Sequence, residues 1–140
     1  MISFIVYGNP VAQGRPKFVR RGNHVAAYDP EKSRTYKDMV YAVALQYKPA
    51  QLLQGALGLT IKCYREIPKS ILSSKKKMEQ VLSGELRPTT KPDVDNYAKG
   101  IKDALKGVIW YDDSQVVSLA VAKYYSEEPR TEVIIHPIKY

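Results

Sequence analysis

The chain has 140 residues, with 22 Lys plus Arg against 14 Asp plus Glu and a formal net charge of +8. Its one cysteine, Cys63, excludes an intrachain disulfide, and with only His24 and His136 beside it a Cys/His zinc site is excluded as well. The length suits a single domain, residues 1–140, that buries a core unaided, and no charge-free stretch is long enough to span a membrane.

Ile2 to Tyr7 reads as a strand ended by Gly8-Asn9-Pro10. The opening MISFIVYGNP has neither a basic leader nor a signal-length apolar run, so the expected location is the cytoplasm. Residues 9–29 read as a long loop or irregular hairpin that carries Arg15, Lys17, Arg20 and Arg21, with Phe18 and Tyr28 interleaved. Cations beside aromatic rings suit a DNA contact, the cations meeting phosphates and the rings stacking on exposed bases. The alternative is a solvated turn with its rings folded onto the core.

Asp29-Pro30-Glu31 opens a helix, Asp29 as N-cap and Pro30 in the first helical position, and Pro49 closes it. Tyr36, Met39, Val40, Val43, Ala44 and Tyr47 recur at helical spacing and mark its core face. Leu57 to Glu66 is the next strand, with Leu59, Ile61 and Cys63 on one face, and Pro68 ends it. Cys63 is expected to be a small buried hydrophobe. Ser70 to Leu82 reads as a second helix whose Lys75-Lys76-Lys77 is a solvated face, and residues 83–92 form a loop. A third helix runs from Asp95 to Lys106, stopped by Gly107. Its Tyr97, Ile101, Ala104 and Leu105 pack on one arc, and Asp95, Asn96, Lys99, Lys102, Asp103 and Lys106 share the other. Val108 to Tyr111 reads as a short apolar strand that delivers Asp112 and Asp113 at its end. Val116 to Tyr125 and Thr131 to Ile138 are two more strands, joined as a hairpin by 126–130. The sum is an α/β arrangement of α+β type: one mixed sheet of four to five strands packed with two to three helices.

Charge is unevenly placed along this order. Residues 1–48 and 49–91 carry +5 each, while residues 92–140 carry −2, and five of the seven aspartates fall between Lys91 and Val117. Clustered carboxylates repel and raise one another's pKa. They make sense if they share a divalent cation such as Mg²⁺, which takes hard oxygen ligands and is often held by one or two carboxylates plus substrate phosphates. A basic surface around an acidic island is what a metal-dependent phosphodiesterase needs. Taken one at a time, these residues also have structural uses: Asp95 as an N-cap, Asp95–Lys99–Asp103 as i,i+4 ion pairs, and Asp112-Asp113-Ser114 as a turn. Neighbours on a strand alternate faces, so Asp112 and Asp113 cannot both point at one site; Asp113 is assigned as the ligand and Asp112 a secondary role.

The run K-P-D-x-D-N-x-x-K, then D-A-L, then G-x-x-x-D-D-x-Q-V, within Lys91 to Val117, resembles the RusA family of Holliday-junction resolvases of bacteria and their prophages. The resemblance implies a homodimeric, Mg²⁺-dependent endodeoxyribonuclease that cuts branched DNA, the four-way junction of recombination and repair, with Mn²⁺ able to replace Mg²⁺ and no small-molecule cofactor. It places Asp93, Asp95 and Asp113 on the metal-binding carboxylates and Lys99 on the functional lysine; Asp112, Asn96, Asp103 and Gln115 also match the pattern. The basic loop from Arg15 to Arg21 matches no motif and stands as a DNA contact on its composition alone. The rival reading is a basic DNA-binding protein without catalysis, of phage or bacterial origin. It is disfavoured because the acidic N-terminal face of the Asp95 helix would repel phosphates. An RNA-directed nuclease is a second rival, since metal and phosphate chemistry look alike on both polymers.

Overall fold

A computed structural model of the chain describes residues 1–14, 17–28 and 30–139. In chain order the elements are β1 (Ile2–Tyr7), β2 (Lys17–Arg21), β3 (His24–Tyr28), α1 (Glu31–Leu45), β4 (Leu57–Glu66), α2 (Lys69–Leu72), α3 (Lys75–Ser83), α4 (Val94–Leu105), a 3₁₀ turn (Asp113–Gln115), β5 (Val116–Ser126) and β6 (Arg130–Pro137). Four strands form one sheet in the order β1-β6-β4-β5, and β2 and β3 form a separate antiparallel ribbon. The mixed α+β architecture is as expected, and the described residues form four helices rather than two or three. No helix among the described residues is long and apolar enough to cross a membrane.

The core lies between one face of the sheet and the helices α1 and α4. Alternation places Leu57, Leu59, Ile61 and Cys63 of β4, Val133 and Ile135 of β6, and Phe4 and Val6 of β1 on that side. Tyr36, Val40 and Ala44 of α1 and Tyr97, Ile101, Ala104 and Leu105 of α4 close over them. Cys63 is buried, and burial pushes its thiol up to about 12. Inside this layer the Tyr36 hydroxyl and Thr131 Oγ1 share a hydrogen bond that satisfies two otherwise buried polar atoms.

Several expectations are corrected. Pro30 sits at the N-cap of α1, where it accepts from Ser33 Oγ at 3.0 Å, and the expected cap Asp29 lies outside the described residues. The helix ends at Leu45, before Pro49. Met39 and Tyr47 are exposed, not core, although the Tyr47 ring stacks on Phe4. The expected helix from Ser70 to Leu82 is two helices. Ser74 breaks it by taking an extended conformation and capping α3 through its side chain, which accepts from the Lys77 N–H.

The expected hairpin between the last two strands is absent. β5 pairs in parallel with β4, and β6 pairs antiparallel with β4 on its other edge. The link after Ser126 therefore crosses the end of β4, a gap of about 9.5 Å at two strand spacings. Arg130 stabilises that link by donating to Ser126 Oγ and the Glu128 carbonyl, at 3.1 and 2.9 Å. Nor is Val108 to Tyr111 a strand. Gly107 has φ +81°, the left-handed conformation that glycine adopts without strain, and it reverses the chain onto the end of α4. The N–H groups of Val108 and Ile109 then bond back to the Leu105 carbonyl, and Val108, Ile109 and Trp110 all enter the core.

Candidate functional site

The acidic residues collect where α4 begins and where the chain leaves the Gly107 reversal. Asp93 is the N-cap residue of α4 in extended conformation, its carbonyl accepting from the N–H groups of Asn96 and Tyr97 while its carboxylate makes no cap bond. Asp95 follows in the first turn, and Lys99 and Lys102 lie one and two turns on. Asp95, Lys99, Lys102, Asp103, Asp113 and Leu119 line one open cleft of about 340 Å³. Three of the four expected catalytic residues therefore face one space. The fourth, Asp93, opens into a neighbouring cleft of about 440 Å³ with Lys32, Lys91 and Asn96. No described residue engages the side chain of Asp93 or Asp95.

The two adjacent aspartates have separate fates. Trp110 is wholly buried, and its Nε1 donates to Asp113 Oδ1 at 2.8 Å, so the core holds one carboxylate oxygen of Asp113 at the cleft. Asp112 instead caps the 3₁₀ turn. Its Oδ2 accepts from the Ser114 N–H at 3.1 Å and from the Ser114 hydroxyl, and Lys106 Nζ lies 3.4 Å from Oδ1. The hydrogen bonds from Ser114, joined by Lys106, lower the Asp112 pKa. Asp112 lines neither cleft. Gln115 completes the capping box: its Oε1 accepts from the N–H groups of Tyr111 and Asp112, and its Nε2 donates to the carbonyls of Leu53 and Gly55. Asp103 lies 3.9 Å from Lys37 of α1 and ties two helices.

The carboxylates are hard oxygen donors of the type that Mg²⁺ prefers. Among the described residues no three His, Cys, Asp or Glu side chains stand close enough to enclose a metal. Two carboxylates facing one cleft, Asp95 and Asp113, are nevertheless the usual protein share of a Mg²⁺ site that substrate phosphate and water complete. The donor set thus fits such an ion.

Of the residues expected to contact DNA, Arg20 is exposed on β2. Arg15 and the side chains of Lys17 and Arg21 lie outside what is described. Two cations that the sequence did not single out bear on the site. Lys123 of β5 and Arg65 of β4 both donate to carbonyls in the segment that enters α4. Their spacing in the sequence gives no sign of it, because the contacts depend on the β4–β5 pairing.

A family model described as endodeoxyribonuclease RusA matches residues 7–136 of the chain. The chain is also 54% identical, over 137 residues covering 98% of it and 96% of the relative, to a protein of Bacillus subtilis (strain 168) that bears the name Uncharacterized protein YqaN.

Proposed function

We propose a function that proceeds from one premise: the chain belongs to the RusA family of endodeoxyribonucleases. The reading is metal-dependent hydrolysis of phosphodiester bonds in branched DNA. Two sites in a two-fold dimer would resolve a four-way junction by paired, symmetric cuts, in recombination and repair. The observation that carries it is the meeting in one cleft of Asp95 and Lys99, one turn apart on α4, with Asp113, which comes from beyond the Gly107 reversal.

In this reading Asp95 and Asp113, joined by Asp93 from the adjoining cleft, hold Mg²⁺, which Mn²⁺ can replace. When bound, the ion supplies Lewis acidity to the phosphoryl oxygen and a lowered pKa to the attacking water. The protein's own part is positioning and charge. Lys99 stabilises negative charge developing on the scissile phosphate, and Lys102, in the same cleft, adds to the attraction for the polyanion. The Trp110 N–H orients Asp113 by occupying one of its oxygens. Asp112 holds the 3₁₀ turn that presents Asp113.

The test is cleavage of a labelled synthetic four-way junction, against linear duplex, in Mg²⁺ and in EDTA. Symmetric nicks confined to the junction and to Mg²⁺ are expected. Asp113→Asn should abolish cutting and leave junction binding intact; cutting at the wild-type rate by that variant would refute the site. Tight binding without cleavage in Mg²⁺ or Mn²⁺ would favour a DNA-binding protein without catalysis.

A further inference from the structure

We infer that Lys123, seconded by Arg65, is a positioning residue for the carboxylates at the start of α4, a role that rests on the metal-site reading above. Lys123 is the register partner of the buried Cys63, so it leaves β5 on the side of the sheet that the helices cover. Its Nζ donates to the Thr90 carbonyl at 3.0 Å and to the Pro92 carbonyl at 3.1 Å. Arg65, two residues beyond Cys63 on the same side of β4, brings one guanidinium nitrogen to the carbonyls of Thr90 and Lys91, at 3.4 and 3.3 Å. Three successive carbonyls are thus held by two cations. Among the described residues no backbone N–H bonds to them.

The consequence falls on Asp93. The Pro92 carbonyl belongs to the peptide that carries the Asp93 nitrogen, so Lys123 fixes the chain just before the N-cap. The first turn of α4 fixes it just after, through the Asp93 carbonyl. Asp93 is held from both sides, and Asp95 follows two residues into the helix. A lysine has three donors and no acceptor, and bonds from a charged donor are the stronger kind. The segment it holds lies at the surface, with Thr90 and Lys91 exposed and Pro92 half-buried. Water can therefore replace the lost donor, and removing the ammonium should loosen the segment far more than it destabilises the fold.

That contrast is the basis of the test. Lys123→Met should keep the thermal midpoint and the junction affinity close to wild type. Its kcat should fall about 10–100-fold with KM little changed, the range seen when a partner of a metal ligand is removed. Calorimetry of Mn²⁺ binding to the DNA-free protein should show affinity reduced in the same range. Lys123→Arg, whose guanidinium can again donate to both carbonyls, should restore most of the loss, and Arg65→Gln should show a smaller loss in the same direction. Wild-type kcat and Mn²⁺ affinity in Lys123→Met would overturn the inference. So would a loss that merely tracks a fall in thermal midpoint and is not rescued by Lys123→Arg. If Lys123→Met does not fold, Arg65→Gln decides: unaltered kcat and Mn²⁺ affinity there overturns it. Asp113→Asn, assayed alongside, separates the two claims. An active Asp113→Asn sinks the site reading and this inference with it, whereas an inactive Asp113→Asn beside a fully active Lys123→Met sinks this inference alone.

Discussion

Trp110→Phe tests the link between the core and the cleft. The indole is fully buried and donates its N–H to Asp113 Oδ1 at 2.8 Å. A phenyl ring keeps the apolar contact and removes both the donor and part of the volume. A hydrogen bond to a charged group contributes about 1.5–3 kcal/mol. Asp113 is half-buried, so water can reach the released oxygen and the loss sits at the low end. At about 24 cal/mol per Å³, a residual void of roughly 40 Å³ costs about 1 kcal/mol. The expected destabilisation is therefore about 2–3 kcal/mol, read from urea denaturation monitored by far-ultraviolet circular dichroism. Catalysis should suffer more, by about 10–100-fold in kcat, because the orientation of Asp113 is released, with the Mg²⁺ midpoint raised and junction affinity kept. A stable Trp110→Phe that cleaves at the wild-type rate with an unchanged Mg²⁺ midpoint would refute the argument that this bond sets the carboxylate.

The Tyr36–Thr131 pair should behave as a coupled unit in denaturant melts: Thr131→Val strands a buried phenol and should cost about 1–3 kcal/mol, while Tyr36→Phe with Thr131→Val should cost less than the sum of the single changes. Additive losses would show that the hydroxyls are not each other's partner. Cys63, held neutral by burial with its pKa pushed up to about 12 from 9.0, should resist thiol reagents at pH 8 until the protein unfolds. The unfolded thiol ionises first as pH rises, so stability should fall between about pH 9 and pH 12 relative to a Cys63→Ala control; parallel stability curves for the two proteins would contradict the burial argument. Arg20→Ala should weaken junction binding and reduce the dependence of log K on log salt by about one unit; an unchanged slope would remove Arg20 from the DNA contact.

Most strands and core faces were legible because alternation and helical spacing are local, although the same spacing put the exposed Met39 and Tyr47 on the core face of α1. β1, β4 and α4 fall within a residue or two of where apolar periodicity, Pro68 and Gly107 put them. What was not legible depended on partners. Two strands joined by five residues read as a hairpin, and only the insertion of β4 between them, which no local signal announces, overrides that reading. Val108 to Trp110 is apolar enough for a strand. Its length is too short to distinguish an extended segment from a reversal, and the φ of Gly107 decides. The alternation argument for Asp112 and Asp113 assumed extended backbone, yet the separation it predicted holds for another reason: a 3₁₀ turn whose N-cap takes Asp112. Lys123 and Arg65 escaped notice because their targets are backbone carbonyls, which have no residue type to read.

The structure also sorts the acidic residues by what the fold asks of them. Asp112 has a full set of structural partners in Ser114 and Lys106, and Asp103 reaches Lys37, so each explains its own presence without chemistry. Among the described residues Asp93 and Asp95 have no such partner. Asp113 has one oxygen held by Trp110. Helix-dipole attraction accounts for acidic residues at the start of α4, at about 0.3–1 kcal/mol each at the surface. It does not account for Asp113, which belongs to another element and is fastened to the core by a buried indole. The buried Trp110 N–H needs an acceptor, which a neutral side chain could also supply; a carboxylate there, facing the cleft of Asp95 against mutual repulsion and beside Lys99 and Lys102, suits a cation and a phosphate.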